Sequence, residues 1–186
     1  FKNLQKLRKK HFNICFLGTL MQHHRLAILS KTLHFIPLQL QRLMVLHFIG
    51  PINQHVLAIS KSIPISIVLH GTQSEVSRIN LLKKMDCGIV SGGGPYASFM
   101  KIFEYGSAKC PVIVPRTPNL EKWMEEDAIF FYQQDDPYSC AKALMKIYYS
   151  PKLANNKASR FYQLIGKRFL WEKTFSTISQ NIVHHL

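Results

Sequence analysis

Residues 87–115 read CGIVSGGGPYASFMKIFEYGSAKCPVIVP. Cys87 to Ser91 is a short apolar run of strand length, and Gly92, Gly93, Gly94 and Pro95 turn the chain out of it. Ser98 to Ala108 has helical spacing, with Phe99, Ile102, Phe103 and Ala108 on its apolar side. Pro111 to Pro115 is strand-like again. Strand, glycine-rich loop, helix and strand in this order form one step of a parallel sheet with helical crossovers.

The step recurs outward in both directions. Asn13 to Gly18 predicts a strand ending in glycine, followed by a helix over 24–36 with Leu26, Ile28, Leu29, Leu33 and Ile36 at helical offsets. Leu43 to Gly50 and Ile65 to Gly71 predict two more strands, each closed by glycine, and Val76 to Lys84 predicts a helix. Ala128 to Tyr132 predicts a sixth strand and Pro137 to Tyr148 a helix after it. Strands this short and apolar are buried on both faces. The fold class that follows is α/β, a doubly wound, mostly parallel six-stranded, Rossmann-like sheet. Residues 1–12 read as a basic linker or helix, 13–150 as the sheet domain, and 151–186, which carry no strand signal, as closing helices.

The chain has 186 residues, 47% of them hydrophobic and 18% charged, too apolar for a disordered chain. No uninterrupted apolar run reaches the length of about 18 residues that a spanning helix needs. Cys15, Cys87, Cys110 and Cys140 lie far apart and read as buried thiols of a reducing compartment, not as a disulfide framework or a zinc site. Residue 1 is Phe and no charged-then-apolar leader follows it, which suggests a fragment or a processed chain. The formal net charge is +14, and the first acidic residue is Glu75. Such a field attracts phosphates on a nucleotide, a lipid headgroup or a nucleic acid. The densest stretch, Lys6 to His11, suits a solvated helix face or an anionic membrane surface. Nucleic acid is the weakest of these readings, because aromatics do not interleave with the bases as a stacking platform requires.

In an open parallel sheet, ligands bind beyond the carboxyl ends of the strands, where helix N-termini also point. Glycines stand at four of those ends here: Gly18, Gly50, Gly71 and Gly92 to Gly94. Each serves a tight turn, and together in a basic chain they suit a nucleotide diphosphate. No G-x-G-x-x-G follows the first strand and no G-x-x-x-x-G-K-[ST] is present, which disfavours ordinary dinucleotide binding and P-loop chemistry. Lys101 and Glu104 are three apart and share a helix face. They form either a solvated pair or, since this helix opens from the glycine loop, a phosphate and ribose contact. His23-His24 and His184-His185 point apart in pairs without an acidic or Cys partner, so surface histidines are expected in place of a metal site. Ser91 lacks the G-x-S-x-G context of a hydrolase nucleophile, and Phe161, Ile165 and Phe169 read as core.

MKIFEYGSAKCPVIV resembles the S-P-x-K-x-x-E-Y-x-A-x-G-x-P-V-I helix and strand of the C-terminal, donor-binding half of GT-B glycosyltransferases, group 1 (family 4). Other landmarks fall in the same order. Phe16 to Leu20 resembles the first strand and its turn, His47 to Pro51 the I-I-G strand, and Val68 to Gly71 the F-x-G strand. Lys84 to Ser91 resembles K-A-D-V-x-V-x-P-S, and Phe169 to Lys173 the closing F-S-W-E helix. The resemblance implies a retaining hexosyltransferase that moves a sugar from a UDP- or GDP-sugar to an acceptor hydroxyl. It implies that Glu104 binds the donor ribose, and that Gly18 and Thr19 lie beneath the donor phosphates. Arg25, or His24, stands where a phosphate-binding cation belongs, and Arg25 is preferred because it is always charged and grips bidentately. Lys101 would touch phosphate or sugar, and backbone N–H groups near Ser98 and Phe99 would meet the diphosphate. No cofactor is implied, since the nucleotide sugar is the substrate and the family is metal-independent. The implied setting is cytoplasmic or peripheral to a membrane.

Three departures from the pattern stand out. Tyr96 replaces the Glu eight residues before Glu104 that contacts the transferred sugar, Thr19 replaces a frequent Arg, and Lys109 replaces a Gly at a turn expected to need φ > 0. The N-terminal acceptor half, which contributes groups across the cleft, has no counterpart in these residues. A catalytically incomplete enzyme half and a non-catalytic GT-B-like binding or scaffold module are therefore the two expectations.

Overall fold

The computed structural model describes residues 11–20, 27–92 and 100–168. Its centre is a six-stranded, all-parallel sheet in the order β3-β2-β1-β4-β5-β6. The strands are β1 (Phe12–Leu17), β2 (Met44–Ile49), β3 (Ser66–Leu69), β4 (Cys87–Ile89), β5 (Val112–Arg116) and β6 (Phe130–Gln133). Between and after them run α1 (Ala27–Leu33), α2 (Leu38–Gln41), α3 (Gln54–Ser62), α4 (Glu75–Leu82), α5 (Met100–Ser107), α6 (Pro118–Trp123), α7 (Pro137–Tyr149) and α8 (Pro151–Arg168). The α/β doubly wound architecture read from the apolar runs is the one observed.

Alternation along β1 divides the core. Phe12, Ile14 and Phe16 enter one apolar cluster with Leu29 and Leu33 of α1, Val56 of α3 and Leu144 of α7. Cys15 and Leu17 enter a second with Leu82 of α4, Ile102 and Tyr105 of α5, and Phe161 and Leu164 of α8. Both faces of this central strand are thus sealed, and a fully buried side chain such as Phe16 contributes about 1.5–3 kcal/mol. All four cysteines are free and buried. Burial pushes the thiols of Cys15 and Cys140 up to about 12, so both stay protonated and unreactive at neutral pH.

The edge strand β3 departs from the sequence reading. Ser66 and Val68, which share one face of this edge strand, are exposed, so an apolar run here does not mean burial on both faces. Helices α2, α3 and α6 were not foreseen either. They are short, but two carry an ordinary start signal. The side chain of Asn53 accepts from Val56 N–H to cap α3, and Thr117 accepts from Leu120 N–H to cap α6 just before Pro118. Lys109 has φ 52°, the left-handed conformation expected where the family pattern has glycine.

Candidate functional site

The strand order reverses between β1 and β4, since the chain leaves β1 toward β2 on one side and returns to β4 on the other. In doubly wound sheets the crevice for a ligand opens at this point, beyond the strand ends. Four glycines with positive φ stand at those ends: Gly18 after β1, Gly50 after β2, Gly71 after β3 and Gly92 after β4. Gly50 is fixed by neighbouring backbone as well as by φ, whereas the neighbour of Gly18 is the movable end of a lysine side chain. A Cβ at Gly50 would lie 2.8 Å from the carbonyl carbon of Gly18 and closer still to its oxygen. A Cβ at Gly18 would lie 2.7 Å from Cε of Lys101. The turns are tied together by main-chain bonds, Gly18 N–H to Ile49 O (2.8 Å) and Gly50 N–H to Gly71 O (2.9 Å). Asn53 adds a further tie, donating from Nδ2 to Leu20 O at 2.9 Å while it caps α3.

Lys101 comes to this rim from α5. Its Nζ lies 4.9 Å from the centroid of the Phe16 ring, a cation–π distance, and its stem packs against Gly18. Burial lowers the Lys101 pKa from the ordinary lysine value, and the nearby charge of Glu104 partly offsets the shift. Glu104 sits one turn further along α5, half-buried, with Oε2 2.5 Å from Nε of Arg78 on α4. The sequence-derived candidates therefore divide into three groups. Gly18 and Lys101 touch, Thr19 follows Gly18 in the same turn, and Glu104 lies between Lys101 and Arg78. Arg25, His24, Ser98, Phe99 and Tyr96 lie outside the described residues, as do Gly93 and Gly94.

Arg78 and Asn53 belong to this region and went unnoticed in the sequence. The cap signature of Asn53 was readable. Nothing local singles out Arg78, whose relevance comes only from the packing of α4 beside α5. A second polar group, also unforeseen, lies on the sheet between β1, β2 and the end of β3. His47 Nδ1 lies 2.9 Å from His70 Nε2, and His47 Nε2 lies 3.1 Å from Asn13 Oδ1. Since an amide oxygen only accepts, His47 Nε2–H donates to Asn13, and His47 Nδ1 accepts from His70 Nε2–H. Burial lowers the pKa of both histidines, and the charge of His70 adds to the shift at His47. Among the described residues no group of three or more His, Cys, Asp or Glu is placed to hold a metal ion, and no helix is long and apolar enough to cross a membrane.

No family model and no curated protein matches the chain. Solved structures do match it. Anabaena HepE in complex with UDP and glucose superposes with a TM-score of 0.78 at 14% identity, over 94% of this chain and 49% of HepE. A glycosyltransferase from Rickettsia africae matches with a TM-score of 0.77 at 16% identity, over 93% of this chain and 47% of that one. Sucrose-phosphate synthase from Thermosynechococcus elongatus matches with a TM-score of 0.75 at 13% identity, over 97% of this chain and 47% of the synthase. The chain spans about half the length of each of these structures. Its fold is that of the C-terminal half of GT-B glycosyltransferases.

Proposed function

We propose that this chain is the donor-binding half of a glycosyltransferase that takes a UDP- or GDP-sugar and transfers a hexosyl group to an acceptor hydroxyl, with retention at the anomeric carbon. The observation that carries the reading is the meeting of Lys101 with Gly18 at the point where the strand order reverses, with Glu104 one turn beyond. A cation and a glycine turn suit the diphosphate of a nucleoside diphosphate sugar, and a carboxylate one turn beyond suits its ribose. That HepE has been solved with UDP-glucose supports a nucleotide sugar as the ligand class.

In this reading the diphosphate leaves as the glycosidic bond breaks, and the site stabilises the negative charge that develops on it. Lys101 supplies one positive charge, Arg25 a second, and main-chain N–H groups near Ser98 and Phe99 the directional donors. Glu104 accepts hydrogen bonds from the ribose hydroxyls and fixes the donor's register. No metal or other cofactor is required for this division of labour. The acceptor and the remaining catalytic groups come from an N-terminal half across the cleft. The setting we propose is cytoplasmic, with the basic stretch Lys6 to His11 resting on an anionic membrane surface.

Calorimetric titration of UDP and GDP into the full-length protein tests the assignment. One of the two is expected to bind, and Glu104→Gln is expected to weaken it about tenfold or more, the weight of hydrogen bonds to a charged group. Binding of neither nucleotide, or binding indifferent to Glu104, refutes it. Tyr96, standing where the family has a sugar-contacting Glu, favours a second reading, a non-catalytic GT-B-like binding module. Binding of UDP-sugar without release of UDP in the presence of acceptor glycans would select that reading.

A further inference from the structure

We propose that Tyr132 is a positioning residue for the donor diphosphate: its hydroxyl replaces a backbone N–H that the sheet lacks and fixes the end of β4 at the rim. The inference rests on the nucleotide-sugar reading above and deepens it. In a parallel ladder the N–H and C=O of one residue face the same neighbouring strand and bond to two residues of it that lie two apart. Along β4 the bonds run from Gly88 N–H to Pro111 O (2.7 Å) and from Val90 N–H to Ile113 O (2.9 Å). The next bond would join the N–H of residue 115 to Val90 O. Residue 115 is proline and has no N–H to give. β5 is an interior strand, where proline is rare for this reason, and a buried carbonyl without a donor is costly.

The hydroxyl of Tyr132 fills the gap. Tyr132 stands opposite Pro115 in the register of β5 with β6, and it donates to Val90 O at 3.1 Å, so its side chain crosses β5 at the proline. The residue is 1% exposed. Val90 is thereby held to β5 through its N–H and to β6 through its carbonyl. Buried Ser91 follows it, then Gly92 with φ 113°, where the chain leaves the sheet beside the reversal of strand order. In sequence this exit leads to Ser98 and Phe99, whose N–H groups the proposed function sets against the diphosphate. An exit held in one place before the ligand arrives leaves less freedom to be lost on binding.

The test is the ratio of UDP to UMP affinity (GDP to GMP if guanine is the base taken), measured by calorimetry on the full-length protein. The two ligands share base and ribose, so the ratio reports the grip on the second phosphate. Tyr132→Phe deletes only the hydroxyl and is expected to lower the ratio about fivefold, the weight of one neutral hydrogen bond. Pro115→Ala supplies the missing N–H and is expected to keep the wild-type ratio. In the double variant the new amide takes Val90 O, and the ratio is expected to lie within about twofold of the wild type. A merely structural bond gives a different pattern, in which Tyr132→Phe melts at a lower temperature with its ratio unchanged. That pattern, or a double variant no better than Tyr132→Phe, overturns the role of Tyr132 and leaves the nucleotide reading standing on Glu104. If Tyr132→Phe does not fold, the double variant carries the test: a folded protein with the wild-type ratio supports the role, and a lowered ratio or a second failure to fold overturns it. If the wild type binds neither UDP nor GDP, the nucleotide reading and the role of Tyr132 fall together.

Discussion

Replacing Gly88 by alanine links packing to the rim in a measurable way. Gly88 occupies the middle of β4, and the ring of Tyr105 lies across it. A Cβ there would stand 2.7 Å from Cγ of Tyr105 and closer still to two other ring carbons. Tyr105 is fully buried, so the ring has no free direction in which to move. Overpacking of this kind costs about 1–3 kcal/mol. The Tyr105 hydroxyl also donates to Cys15 O at 3.1 Å, a bond whose net worth is about 1 kcal/mol and which a displaced ring cannot keep. The expected loss is therefore about 2–4 kcal/mol. Urea unfolding followed by far-ultraviolet circular dichroism measures it as a lower midpoint at unchanged slope. Tyr105→Ala, which removes the ring atoms that the new methyl group would meet, should make the double variant more stable than the sum of the single losses predicts, by about 1 kcal/mol or more. A Gly88→Ala midpoint close to that of the wild type, or strict additivity in the cycle, refutes the packing argument. The same substitution pushes α5 from the sheet, so nucleotide affinity should fall with it.

Two further outcomes follow from groups near the rim. His47 and His70 have pKa values lowered by folding, so as pH drops below about 6.5 the unfolded chain takes up protons before the native one does. Stability is then full above that pH and declines below it. A melting temperature that falls between pH 7 and pH 5, and a shallower fall in His47→Gln, is the expected result; identical slopes would exclude the pair as the cause. Asn53→Ala removes both the cap of α3 and the tie to Leu20, for an expected loss of about 1–2 kcal/mol, whereas Asn53→Ser retains the cap and should recover part of it by the same urea assay.

Five of the six strands were legible as apolar runs that end at or near a glycine or a proline, and β6 was legible from its apolar residues alone. Helices α3 and α6 escaped because a helix of two turns shows little periodicity, although Asn53 and Thr117-Pro118 mark their starts. β3 misled because the identity of Ser66 to Leu69 does not say that the strand lies at the edge. Lys101 and Glu104 were found from local spacing, yet spacing alone is equally satisfied by a solvated pair on the outside of the helix. Only the assembled sheet brings Gly18 under Lys101 and Arg78 beside Glu104. Those relations join distant parts of the chain and leave no pattern in any one of them.

The pairing of Ile14 with Cys87 and of Cys15 with Gly88 is a seam between two halves of the domain. Lys101 and Gly18 stand on opposite sides of it, so a nucleotide gripping both would act as a removable staple. Ligand at a hundredfold excess over its dissociation constant adds about 2.7 kcal/mol to the work of parting the two halves. If the proposed function holds, donor concentration would set the stability of the domain as well as its activity.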